Sequence, residues 1–156
     1  MNAGWAREED RTSLATIMAG VFLSDQARYL PEPLDPAFVR SHSEDLVARA
    51  WRDMALARLG DEAIAMAWLD GRSIGALNVL APFRRRGAGS WLMDLLEGRL
   101  ADEGARVVTL DTQAANAPAI AFYVRRGYSI IRRWEQKAFT RLPIPTVTMT
   151  MELERK

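Results

Sequence analysis

The side chains best placed to do chemistry stand together in Arg84–Gly89, which reads R-R-R-G-A-G. An apolar run, Leu77–Leu80, leads into this stretch, and an amphipathic segment leads out of it. In that segment Trp91 and Leu95 lie four apart, as do Leu92, Leu96 and Leu100, so a helix over 90–102 can turn one stripe toward a sheet. A helix start offers N–H groups with no acceptor inside the helix and a partial positive charge. Gly87 and Gly89 let the backbone approach a bound group closely, and three guanidinium groups stand alongside. Together these features describe an anion site, most simply for a phosphate or pyrophosphate. Local composition leaves a plainer alternative open: a strand-to-helix turn whose glycines serve only close packing. Two nucleotide loops are excluded. No Lys-Ser or Lys-Thr follows the second glycine, and position 92 is leucine where a dinucleotide fingerprint needs a third glycine.

These groups must be held by a fold, and the chain is long enough for one. Its 156 residues fit a single domain, 1–156, and 49% hydrophobic with 26% charged residues is ordinary for a soluble globular protein. With no cysteine, disulfides, thiolate nucleophiles and cysteine metal sites are excluded; the one histidine, His42, argues against a histidine-based metal site. No uncharged apolar run approaches the eighteen or so residues of a membrane span, and the N-terminus has neither a basic nor an apolar leader. A cytoplasmic protein without membrane contact is the expectation. Residues 1–62 carry seven arginines against eleven Asp/Glu, whereas 63–156 carry fourteen Arg/Lys against nine Asp/Glu. A basic half suits an anionic ligand and an acidic half a cationic one. The large basic excess and clustered aromatics of a nucleic-acid protein are missing.

The element order follows from periodicity and turn chemistry. A short strand over Asn2–Arg7 precedes a helix capped by Asp10, with Leu14, Ile17, Met18 and Val21 at helical spacing. Asp35-Pro36 opens a second helix to about Trp51, with a break expected near Ser41–Ser43. Gly60-Asp61 and Asp70-Gly71 then separate three apolar runs, Met54–Leu59, Ala63–Leu69 and Ser73–Leu80, which reads as an antiparallel meander. After helix 90–102, strand Arg106–Leu110 should run parallel to the preceding strand, because a helix connects them. Asn116 caps a helix over Ala117–Arg126 that Gly127 stops, and strands Tyr128–Trp134 and Thr146–Leu153 complete an α/β layer with a mixed sheet.

Two stretches resemble the GNAT superfamily of acetyl-CoA-dependent N-acetyltransferases. The family's cofactor loop is Arg or Gln, two residues, Gly, one residue, Gly or Ala; Arg84, Gly87 and Gly89 match it, and Leu77 and Val79 match the strand before it. The family's usual proline is displaced by one residue, to Pro82, while Phe83-Arg84 keeps the register. The second motif is the more specific. Asn116, Pro118, Ala119, Phe122, Tyr123, Gly127 and Tyr128 stand where the family has Asn, Pro-Ala, an aromatic-Tyr pair and Gly-aromatic. The resemblance covers residues 54–134 well and residues 1–53 only in element order. It implies a mixed, mostly antiparallel sheet with helices on both faces and splayed fourth and fifth strands.

The same resemblance implies transfer of an acetyl group from acetyl-CoA to an amine, either a small molecule or a peptide N-terminus. Backbone groups of Asn78, Val79 and Leu80 would meet the acetyl oxygen and pantetheine arm. Arg84, Arg85, Arg86, Gly87, Ala88, Gly89 and Ser90 would hold the pyrophosphate, and Asn116 would contact pantetheine while capping its helix. Tyr123 would protonate the departing thiolate; a packed core tyrosine is the plainer alternative. The family's glutamate near the start of the fourth strand is replaced by Ser73, which leaves Asp111, Glu44, Asp45 or a water relayed through Asn78 as candidate bases. Acceptor choice should come from residues 22–53 and 135–145, the first of which is acidic through Asp25, Glu32, Asp35, Glu44, Asp45 and Asp53. The five tryptophans read as core or edge filler. A homodimer is compatible with these features. A non-catalytic acetyl-CoA sensor is the alternative from another class, and a phosphate-binding protein without acyl chemistry is the third.

Overall fold

The computed structural model describes residues 1–137 and 140–154. Strand β1 (Asn2–Trp5) leads through a short turn into helix α1 (Arg11–Val21). Asp10 does not cap α1 with its side chain. Its carboxylate turns back, accepts the Arg7 N–H at 2.8 Å and pairs with Arg58, so its charge is met by a guanidinium from the sheet. After α1 the chain makes one π-helical turn, Phe22–Gln26, and a 3-10 turn, Ala27–Tyr29. Helix α2 (Pro36–Ala50) runs without the expected break. Asp35 caps it by accepting the Ala37 N–H at 3.0 Å, worth about 1 kcal/mol, and Ser43 faces inward at 3% exposure.

The meander is β2 (Met54–Leu59), β3 (Glu62–Asp70) and β4 (Ser73–Val79), each antiparallel to the last. Helix α3 (Ala88–Asp102) follows, then β5 (Val107–Gln113), α4 (Ala117–Arg126), β6 (Ser129–Gln136) and β7 (Ile144–Glu152). Strand β5 outruns its expected end at Leu110 because β7 pairs with it along its whole length, from Val107↔Glu152 to Gln113↔Thr146. The sheet order is β1-β2-β3-β4-β5-β7-β6, so the last strand inserts between its two predecessors. Among the described residues only β4 and β5 pair in parallel, as the helical crossover requires.

Helices cover both faces. On one, α1 and the Val47 side of α2 pack over Met54, Leu56 and Met66. On the other, α3 lays Ala88, Leu92, Leu96 and Leu100 over Ala55, Ala57 and Ala65, with Tyr123 of α4 in the same cluster. The small alanine side chains leave room on the sheet for the leucines that pack on them. Cutting one of those leucines to alanine costs roughly 2–5 kcal/mol. The buried stripe of α3 is narrower than its sequence periodicity allows. Trp91 is 46% exposed, because it lies about 100° around the helix from Leu92. Among the described residues no helix is long and apolar enough to cross a membrane.

Candidate active site

Helix α3 begins at Ala88, two residues before its expected start, so the glycine loop supplies the helix's first N–H groups. Its cap, Gly87, has φ 89° and no side chain to satisfy them. Trp91 is the first residue to close onto the loop, donating to Gly87 O at 3.0 Å. The N–H groups of Ala88, Gly89 and Ser90 therefore have no acceptor within the helix. The neighbouring helix α4 starts differently. Asn116 Oδ1 accepts the Ala119 N–H at 3.2 Å, so that terminus is already capped. Positive φ belongs to Gly87 and Arg85 in this loop, not to Gly89. A Cβ at Gly89 would touch Phe122 and Leu77 at ordinary contact distances.

Beside this loop β4 and β5 part. They share only Ser73↔Thr109 and Ile74↔Leu110, tied by the Ser73 and Thr109 hydroxyls at 2.8 Å. Two cavities occupy the divergence. The loop cavity, about 910 Å³, is lined by Arg84, Arg85, Gly87, Ala88, Gly89 and Ser90, by Val79, and by Arg28 and Arg125. The strand cavity, about 550 Å³, is lined by Phe22, Phe38, Trp68, Asp70, Asn78 and Asp111 among others. Leu77, Asn116, Ala119, Tyr123 and Gln26 line both.

Tyr123 is thus a wall common to the two spaces, 8% exposed, with its ring edge-on to Phe122 at 5.2 Å and to Tyr128 at 5.7 Å. Burial pushes its hydroxyl well above the usual tyrosine range, only partly offset by Arg126, so it keeps its proton at neutral and moderately alkaline pH. The turn behind it is braced. Arg126 donates to Glu97 at 2.7 Å and to Asp94 at 2.9 Å, and the Tyr128 hydroxyl donates to Glu97 at 2.8 Å, fastening the end of α4 to α3. Asn78 is 3% exposed, and its Oδ1 has no hydrogen-bond partner among the described residues.

The structure thus brings Asn78, Val79, Arg84, Arg85, Gly87, Ala88, Gly89, Ser90, Asn116 and Tyr123 around the joined cavities. Leu80 and Arg86 line neither. The Leu80 N–H is donated to Ile64 O at 3.0 Å, and the Arg86 guanidinium lies over the Phe83 ring at 5.8 Å. Of the candidate bases, Asp111 lines the strand cavity and accepts the Thr148 hydroxyl at 2.6 Å, while Glu44 and Asp45 lie exposed on α2 outside it.

The variable stretches do reach the strand cavity, through Phe22 to Leu46 on one side and Gln136 and Ile144 on the other. Positions 138 and 139 of the second stretch lie outside the described residues. None of the six acids of 22–53 lines that cavity. Asp35 caps a helix, Asp53 pairs with Arg99, and Asp25 pairs with Arg84 in the loop cavity. The carboxylates that do line it, Asp70 and Asp111, come from the end of β3 and the middle of β5. Trp68, expected as core or edge filler, packs against the cluster under α1 and also forms a wall of the strand cavity. Only its neighbour Gly75, an interruption in an otherwise apolar strand, could have signalled this.

Comparison with known proteins agrees with the geometry. The profile of the Acetyltransferase (GNAT) family matches residues 21–128, and the chain belongs to this family of acyltransferases. No curated protein matches. A GCN5-related N-acetyltransferase from Rhodopseudomonas palustris superposes with TM-score 0.81 at 23% identity, covering 97% of this chain and 95% of that one. A ribosomal-protein-alanine N-acetyltransferase from Brucella melitensis gives 0.72 at 18% identity over 98% and 100%. A putative acetyltransferase from Salmonella typhimurium, solved with acetyl-CoA, gives 0.70 at 16% over 100% and 95%. At these identities the likeness is one of fold.

Proposed function

We propose that this chain transfers an acetyl group from acetyl-CoA to an amine acceptor, a small-molecule amine or a peptide N-terminus, by direct attack. The observation that carries the reading is a pair of cavities, one lined by arginines and one without any, joined at Tyr123 where β4 and β5 part.

The residues present fit the donor. Arg84, Arg85 and the N–H groups of Ala88–Ser90 supply the charge and donors that a pyrophosphate needs. Val79 in the loop cavity and Asn78 in the strand cavity flank the path that an amide-bearing arm would take between them. Bound acetyl-CoA supplies an acyl group activated as a thioester, with a thiolate as leaving group. Tyr123, in the wall between the two cavities, would be the hydrogen-bond donor for the leaving sulfur. A phenol this reluctant to ionise stabilises the thiolate by that bond, and full proton transfer is uphill for it. The amine must be neutral to attack; Asp111 and ordered water are the groups that can take its proton in the strand cavity. Placement of Tyr123 in the shared wall favours an enzyme over a sensor, which has no use for a protonated hydroxyl between two chambers.

Thermal unfolding with and without ligand tests the donor half. CoA at a hundred times its Kd should add about 2.7 kcal/mol. A melting temperature unmoved by acetyl-CoA yet raised by simple phosphates overturns the reading. Thiol release against an amine panel tests the transfer itself.

A further inference from the structure

Resting on that acetyl-transfer reading, the geometry points to a definite acceptor class: a small cationic primary amine on an aromatic or branched apolar body, with no acidic group of its own. Three observations carry it. First, the strand cavity has no lysine or arginine among its described lining residues; its carboxylates are those of Asp70 and Asp111, and the one imidazole, His42, stands on the α2 side stacked on Phe38 at 5.9 Å. An ammonium ion is drawn into such a space, whereas a carboxylate or phosphate on the acceptor would meet two like charges and no lysine or arginine among the described residues.

Second, one part of the cavity wall is apolar and aromatic, opposite a polar part formed by the strand side chains. Phe22 and Phe38 line it from the α1–α2 side and Trp68 from the sheet. A volume of about 550 Å³ is that of a small-molecule pocket. Third, the Trp68 wall is built in. The β3–β4 register slips beside Trp68, leaving Gly75 without a cross-strand partner. A Cβ at Gly75 would lie 2.3 Å from the indole ring. The strand gives up a side chain there so that the ring can lie against its backbone. An indole held in that way is a rigid surface on which an apolar group, or the ammonium itself, can pack.

The test is a matched pair of probes that differ only in a carboxylate, phenethylamine and phenylalanine, with ethylamine and an uncharged-side-chain peptide N-terminus alongside. Thiol release is read at saturating acetyl-CoA. The expected result is a kcat/KM for phenethylamine at least tenfold above phenylalanine and above ethylamine. Trp68→Ala should raise the KM for phenethylamine about tenfold while leaving that for ethylamine nearly unchanged. Asp70→Asn should narrow the phenethylamine-to-phenylalanine ratio. Calorimetric binding of the same amines with CoA present gives a second readout independent of turnover, and the same order is expected there. Equal or better use of phenylalanine or the peptide overturns the acceptor class while leaving acetyl transfer standing. Ordered amine binding with no turnover of any amine overturns acetyl transfer but not the recognition, and absence of both overturns the two together.

Discussion

Four arginines line the loop cavity, whereas the strand cavity, a few residues away across Tyr123, is lined by two aspartates, one histidine and no lysine or arginine among the described residues. The two spaces are built from the same strand and the same helix, so their difference in charge comes from topology. Arginines enter the loop cavity from the α1–α2 connection, the glycine loop and α4. Aspartates enter the strand cavity from the end of β3 and the middle of β5. The acidic and basic halves of the sequence do not map onto the two cavities. Asp25, from the acidic half, lines the basic cavity, and Asp111, from the basic half, lines the acidic one.

The sharpest way to break the contrast is Gly87→Val. At φ 89° a β-branched residue is strained, and its side chain would project toward space that the anion needs, since nothing stands within 4 Å of a Cβ there. Acetyl-CoA affinity should fall by a hundredfold or more while the chain still folds. Calorimetry reads the first and the circular dichroism melt the second. Wild-type affinity in this variant would mean that the loop cavity is not the phosphate arm.

The next largest effect concerns the shared wall. Tyr123→Phe keeps the ring and its edge-on contacts with Phe122 and Tyr128, so acetyl-CoA affinity should hold while kcat falls by roughly 10²-fold. Because burial raises the Tyr123 pKa, the wild-type rate should show no alkaline loss from this group up to about pH 10. A variant as fast as wild type on an identified acceptor would make the tyrosine a packing residue alone.

Much of this arrangement is legible in the sequence, and the limits are physical. The meander, the glycine loop and the two motifs rest on local signals, turn dipeptides and helical spacing, which act within a few residues of where they are read. The parallel pairing of β4 with β5 follows from the crossover helix. The insertion of β7 between β5 and β6 depends on long-range pairing that no local pattern encodes. Among site residues, Arg84, Gly87, Asn116 and Tyr123 announce themselves by motif. Asp70 reads only as a turn residue, Trp68 only as an apolar residue in a strand, and Asp25 only as a charge in a loop. Their roles are set by which cavity the fold turns them toward.

A smaller effect probes the brace behind the shared wall. The hydroxyls of Tyr123 and Tyr128 both have pKa values raised first by desolvation, from an ordinary value of 10.0, and for Tyr128 by its bond to Glu97 as well. Above pH 10 the unfolded chain loses these protons while the folded chain keeps them. The stability they confer is therefore full below about pH 10 and lost as pH rises beyond it, by up to about 1.4 kcal/mol per pH unit for each tyrosine. Urea unfolding at pH 9, 10 and 11 measures the slope, and Tyr128→Phe should lessen it. An unchanged slope in that variant would mean that Tyr128 ionises as freely folded as unfolded.

The smallest effect asks why a basic cavity should contain a carboxylate at all. Asp25 lies on the π-helical turn, pairs with Arg84 and with Arg28 at 3.3 Å, and so occupies a guanidinium that an incoming pyrophosphate would use. Its charge repels the same anion. Both effects oppose binding, whereas any benefit from holding Arg84 in place acts the other way. The partly exposed guanidinium groups limit each contribution to about 1 kcal/mol or less. On that balance Asp25→Asn should tighten acetyl-CoA binding by about threefold at low salt. The gain should vanish near 1 M salt, where the Debye length shrinks to about 3 Å. Acceptor KM should not move, because Asp25 does not line the strand cavity. Weaker acetyl-CoA binding in the variant would show instead that the carboxylate orients Arg84 for the phosphate, and the contrast between the cavities would then include an acid that serves the basic side.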